Sequence, residues 1–201
     1  MFSGLQTFEV SPMRLIERRS FLLTALSAVP LASCASTRRA GPLRRRHAGT
    51  LVRAGQDRTG SARTVFGELR LDAKVLPEDA DGGLYVIEHT DGAKGGPPRH
   101  VHHAQDEWFY VLEGAYRIQV GEERFDVGPG DSVFAPREVP HVWAHVSGGQ
   151  GRLILAFQPA GQMHAFLGAL AELGGAPAPE AMASLFASHG MTMLGPPLPV
   201  G

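Results

Sequence analysis

From Val65 to Phe157 apolar and polar residues alternate in short runs, and most runs end at glycine, proline or a small polar residue. Alternation with a period of two is the pattern of half-buried strands. It predicts strands over Val65–Leu71, Leu84–Glu88, His100–His102, Trp108–Leu112, Tyr116–Val120, Glu123–Val127, Ser132–Ala135, His141–Val146 and Leu153–Phe157. Asp81-Gly82-Gly83, Gly95-Gly96-Pro97-Pro98, Gly121-Glu122 and Gly128-Pro129-Gly130 supply the turns between them. No helix is expected before Gln162. The period then changes: Phe166, Leu167, Leu170 and Leu173, and later Met182, Leu185 and Phe186, fall at helical spacing. Two short helices are predicted over Met163–Leu173 and Glu180–Ser188, the first ended by Gly174-Gly175, the second opened by Pro177 and Pro179 and stopped by Gly190. Their apolar stripes are expected to pack on the exterior of the β domain or on a second subunit. Many short strands cut by Gly and Pro turns favour a sandwich or barrel, so the fold class is mainly β, an antiparallel β-barrel with two short C-terminal helices.

The start of the chain follows a different pattern. Arg18 and Arg19 precede an apolar run from Phe21 to Leu31, followed by small residues around Cys34. This is the layout of an export signal, and the run is about half of the roughly 20 residues a spanning helix needs. Arg18-Arg19-Ser20-Phe21-Leu22 resembles a twin-arginine signal, and Leu31-Ala32-Ser33-Cys34 resembles a bacterial lipoprotein box in which Cys34 is lipidated. Cys34 is the only cysteine, so an exported form has no intramolecular disulfide and lipidation gives the thiol a use. The expected organisation is an export signal over 1–33, with Met13 as the true start, then an arginine-rich tether over 34–63, a barrel over 64–160 and a helical extension over 161–201. The expected location is the periplasm or cell surface, with a lipid anchor to the membrane at Cys34.

Composition narrows this further. The 201 residues suit one domain with additions, and 43% hydrophobic with 19% charged residues is ordinary for a globular protein. A net charge of −1 offers no basic surface for nucleic acid, so no nucleic-acid partner is expected. Nine histidines point to metal or proton chemistry. His100 and His102 are two residues apart on a predicted strand, so both project from one face. Glu107 follows after a gap long enough for the chain to return a carboxylate towards them, and His141 closes the set from a distant strand. Three imidazoles and a carboxylate suit one divalent transition metal, and spacing alone leaves iron, manganese, nickel, cobalt, copper and zinc open.

Residues 95–114 resemble the first cupin motif, G(x)5HxH(x)4E(x)6G: HxH, Glu107 and Gly114 fall in place, while Gly95 stands one residue closer than the pattern. The second motif, G(x)5PxG(x)2H(x)3N, is matched at Gly130, Pro136 and His141, but Glu138 replaces its second Gly and His145 its Asn. The resemblance implies a cupin-type jelly roll with metal ligands His100, His102, Glu107 and His141. By strand parity His145, Trp143, Phe109 and Val111 face inwards and form the expected substrate pocket, with His145 too far along its strand to share the ion. His103 faces outwards, and His47, His89, His164 and His189 lie outside the motifs and read as structural or solvated.

The C-terminal pattern is similar to that of small single-domain cupins of quercetin-dioxygenase type. That resemblance implies a metal-dependent dioxygenase acting on a flavonol-like aromatic or enol small molecule, with Glu107 as the catalytic proton acceptor. Homodimers are expected in the family. The alternative from a different class is a non-catalytic cupin module outside the cytoplasm that binds a small ligand or metal. A twin-arginine route carries folded proteins, so metal loading before export favours iron or manganese over copper and zinc.

Overall fold

The computed structural model describes residues 49–200. The expected export signal, Met13, the lipidation site Cys34 and the tether as far as residue 48 lie outside the described residues. No helix among the described residues is long and apolar enough to cross a membrane. The elements run β1 (Arg63–Val65), β2 (Leu69–Val75), β3 (Tyr85–Asp91), β4 (Arg99–His102), β5 (Asp106–Glu113), β6 (Tyr116–Val120), β7 (Glu123–Val127), β8 (Ser132–Ala135), β9 (His141–His145), β10 (Gly151–Gln158), α1 (Met163–Glu172), α2 (Pro179–Ser188) and β11 (Met191–Gly195).

They form two antiparallel sheets, one ordered β1-β2-β3-β10-β5-β8 and the other β11-β4-β9-β6-β7. Ring contacts join the two: His102 lies 6.0 Å from Phe157, His141 6.2 Å from Phe109 and Trp143 4.9 Å from His89, centroid to centroid. The space between the sheets is the core of a jelly-roll barrel. In β10 the alternation is complete: Leu153, Leu155 and Phe157 are buried between less buried neighbours, each facing the core. Phe109, Ile118 and Tyr116 are fully buried beside them. On the far side of the first sheet, Glu88 ties three strands together by accepting from Arg152 at 2.6 Å and pairing with Lys74 at 3.1 Å. Burial alone raises the Glu88 carboxyl, but these two cations outweigh it and hold the group below its ordinary range.

Several expectations need correction. The run Val65–Leu71 is a hairpin rather than one strand, because Phe66 and Gly67 take positive φ (55° and 81°) and turn Val65 back onto Leu69. A single turn of 3-10 helix at Pro77–Ala80 precedes Gln162, with Asp79 accepting from the Leu76 N–H. The barrel holds the chain before Thr64: the Arg58 N–H donates to Ala73 O at 2.7 Å, the Ala73 N–H donates to Asp57, and the Arg58 side chain clasps Asp79. The C-terminal extension includes a strand, since β11 pairs with β4 and sets Met191 opposite His102 and Met193 opposite His100. Five residues after a glycine turn carry too little periodicity to announce a strand. The helices do not pack on the barrel exterior alone. Met163, Phe166, Leu167 and Phe186 are buried and wall the cavity described below, with the Phe186 ring 5.2 Å from His100.

Candidate metal centre

The strand positions carry the ligand set. His100 and His102 share a face of β4, His141 begins β9 directly opposite His100, and Glu107 lies on β5 between Ala135 and Phe157 of its neighbours. His100 and His141 therefore arrive from adjacent strands of one sheet and Glu107 from the facing sheet. Their four ligand atoms all lie within 4.8 Å of one another, and all four residues are buried. His100 Nε2 stands 3.1 Å from His102 Nε2, and Glu107 Oε2 stands 3.3 Å from His102 Nε2 and 3.0 Å from His141 Nε2.

The outer faces of the rings decide what the inner faces can do. His100 Nδ1 lies 2.8 Å from Pro98 O and His141 Nδ1 3.1 Å from Val139 O. A carbonyl oxygen only accepts, so each Nδ1 carries the proton and each Nε2 presents a lone pair inwards. His102 Nδ1 has Gln105 Oε1 at 3.4 Å, and the Gln105 amide is oriented by donating to Ala160 O and Pro159 O. Three lone pairs and a carboxylate thus converge with nothing but mutual repulsion between His100 and His102, which a cation relieves. Nitrogen and oxygen ligands about 2.0–2.2 Å from one ion stand roughly 3 Å apart, as these do. The residues fit a divalent metal. Carbonyl and amide partners on the outer nitrogens are the arrangement that fixes metal-bound histidines.

Electrostatics in the ion-free cluster follow from crowding. Burial, then the neighbouring His141 and His102, push the His100 imidazole down to about 3. Burial alone raises the Glu107 carboxyl, but without an ion a proton taken up at Nε2 of His102 or His141 donates to it, and these contacts outweigh burial and hold the group well below the usual range. Burial lowers His141, and the Glu107 contact outweighs that and raises it.

The departures from the second motif are accommodated. Glu138 takes φ 63°, the left-handed conformation that a glycine adopts freely and another residue adopts at a cost of about 1–2 kcal/mol. Its N–H donates to His102 O at 2.8 Å, so the turn also pins a ligand strand. Gly95 pairs its backbone with His145, closing β9 where the first motif is one residue short. His103 points outwards, half-exposed, with Thr192 Oγ1 at 2.9 Å.

A cavity of about 460 Å³ opens onto His100 and Glu107 and runs past Trp143 and Leu155 to His89 and Asp91. Its volume falls in the range of small-molecule sites. Of the four expected pocket residues, Trp143 lines it. Phe109, Val111 and His145 face inwards but do not line it; they are sealed into the core behind its wall. Parity told which face they occupy, whereas the depth of the cavity depends on what covers them. His145 instead pairs with Asp91 through Nδ1 at 2.6 Å, with Ala93 O also near Nδ1 and Ser147 Oγ 2.8 Å from Nε2.

Two residues of consequence escaped sequence reasoning. Gln105 was visible only as part of the gap before Glu107, and His89 as a histidine outside any motif. Parity with Ile87 and Asp91 on β3 was the available signal for His89.

A family model described as Cupin domain matches residues 87–157. An uncharacterized protein of Streptomyces coelicolor is 35% identical over 79 residues, which span 38% of this chain and 68% of that protein. Among solved structures, KdgF from a Halomonas species is 24% identical with a TM-score of 0.42, covering 49% of this chain and 87% of that one. An RmlC-like cupin from Shewanella frigidimarina is 25% identical with a TM-score of 0.42, covering 52% of this chain and 87% of that one.

Proposed function

This chain belongs to the cupin superfamily, and on that premise we propose that it is a metal-dependent dioxygenase acting on a flavonol-like aromatic or enol small molecule. One observation supports the reading above others: the cavity is walled by apolar side chains and ends on two of the four metal-ligand residues. When bound, the metal supplies Lewis acidity to an enol oxygen. His100, His102 and His141 would hold it through Nε2, together with Glu107, the histidine protons being kept on Nδ1 by Pro98, Gln105 and Val139. Glu107, ionised at neutral pH, would serve both as ligand and as base by shifting between ligation and hydrogen bonding, accepting the enol proton at a carboxylate oxygen. Trp143, Leu155 and Phe186 flank the substrate body and exclude water from the reacting end.

Oxygen uptake by metal-loaded protein over a flavonol panel tests this reading. Steady uptake that falls about 10²–10⁴-fold in Glu107→Gln, at matched metal content, supports it. Stoichiometric binding without uptake overturns it in favour of a non-catalytic ligand-binding module. The leader pattern supports a further proposal, that the protein is exported and anchored through Cys34. Wild type should then fractionate with membranes and Cys34→Ser with soluble protein, and an unchanged distribution counts against the anchor.

A further inference from the structure

The metal cluster leaves a second buried polar group unused. His89 on β3 is 2% exposed, lines the cavity, and stands edge-on to Trp143 with ring centroids 4.9 Å apart. Neither of its ring nitrogens has a hydrogen-bond partner among the described residues. Its Nδ1 lies 3.4 Å from Asp91 Oδ2 but outside hydrogen-bonding alignment. Buried polar atoms in native proteins are almost always bonded, and an orphan implies a partner the chain does not supply.

The surroundings of His89 narrow what that partner is. Asp91 also lines the cavity and is held from behind by His145 at 2.6 Å. The Tyr116 hydroxyl lies close enough to Asp91 to favour its charged form, although neither it nor Asp91 Oδ1 closes a well-aligned hydrogen bond. Asp91 Oδ2, 3.4 Å from Nδ1, favours the tautomer with the proton on that nitrogen, which leaves Nε2 as an acceptor. Burial, then the nearby His145, depress the His89 imidazole to about 3, so at neutral pH it meets a ligand as an uncharged group. An uncharged imidazole suits a hydroxyl, whereas a carboxylate ligand would be set beside the Asp91 carboxyl group.

Position sets the ligand's length. On β10, His89 is opposite Leu153 and Glu107 is opposite Phe157. Four strand positions separate the two, about 13 Å along the backbone at roughly 3.3 Å per residue. Trp143 stands between, midway from His141 to His145 on β9.

We propose that His89, oriented by Asp91, is the second polar pole of the cavity and accepts a hydrogen bond from an uncharged hydroxyl at the end of the substrate remote from the metal. The ligand is then longer than one aromatic ring, apolar in its middle, with an enol oxygen at one end and a phenol-type hydroxyl at the other. The enol end rests on the proposed function; the role of His89 does not.

The test uses metal-loaded protein under anaerobic conditions, with 3-hydroxyflavone and 3,4′-dihydroxyflavone as probes, in wild type, His89→Leu and His89→Gln. Wild type should bind the dihydroxy compound about tenfold more tightly, the scale of one net hydrogen bond. His89→Leu should bind both alike, and His89→Gln should regain part of the preference. A preference that survives in His89→Leu overturns the proposal. Thermal unfolding without ligand supplies a readout independent of flavonols. An imidazole that closes no hydrogen bond within the described residues predicts a midpoint in His89→Leu equal to or above wild type, and a fall of more than about 5 °C overturns the proposal. If wild type binds neither probe, the flavonol reading fails, and the thermal comparison alone decides whether His89 serves a ligand.

Discussion

Two buried polar clusters occupy the barrel, four residues apart along β9 and along β10, and they solve the same problem differently. At the first, His100, His102 and His141 each satisfy the outer nitrogen within the chain, and the inner lone pairs converge on one point with Glu107. At the second, His145 is satisfied at both nitrogens, Asp91 is held from behind, and His89 is satisfied at neither. The first arrangement asks for a cation and the second for a hydrogen-bond donor. The difference comes from what backs each ring. Loop carbonyls and one glutamine stand behind the metal ligands, whereas His89 faces the open cavity with only a misaligned carboxylate beside it.

The sharpest way to break this contrast is His102→Ala. It should abolish near-stoichiometric metal by elemental analysis, while His89→Leu should leave metal content unchanged. Equal metal loss in both would mean that the clusters are not independent. Gln105→Leu strips the partner from His102 Nδ1 without touching a ligand atom, and metal affinity should fall about 10–100-fold by competition titration.

Gly151→Ala probes the second cluster by volume, since a Cβ there would collide with the Tyr116 hydroxyl and crowd Asp91 Oδ1. A loss of about 1–3 kcal/mol in denaturant unfolding is expected, with metal content unaltered. The smallest effect is on pH dependence. His89 binds its proton near 6.5 when unfolded but only near 3 when folded, so the unfolded state takes up the proton first as pH falls. Stability is therefore lost on acidification through this window, by roughly 1 kcal/mol between pH 7.5 and 5.5. Asp91, whose carboxyl is raised chiefly by burial, changes stability in the opposite sense as pH falls. His89→Leu should flatten the slope between pH 7.5 and 5.5, and an unchanged slope would place the proton elsewhere.

Much of this is legible in the sequence. Tyr116–Val120, Glu123–Val127 and Ser132–Ala135 fall where alternation placed them. The ligand set was readable because HxH on a strand is a local statement: two residues at period two share a face whatever else the chain does. Glu107 and His141 joined it because the spacing resembled a known motif. The hairpin at Phe66 was illegible because a bulky residue at positive φ violates local preference, and only pairing with β2 rewards it.

By itself, then, the sequence determined most strand periods and the shared face of His100 and His102, which are properties of neighbours in the chain, and through motif spacing it named Glu107 and His141 as their partners. Tertiary structure alone decided that Phe109 and Val111 are sealed while Trp143 is open, that α1 and α2 wall the cavity, that β11 borders β4, and that His89 has no partner. Those outcomes depend on which distant segment covers each inward face, and coverage is settled by packing between elements far apart in sequence.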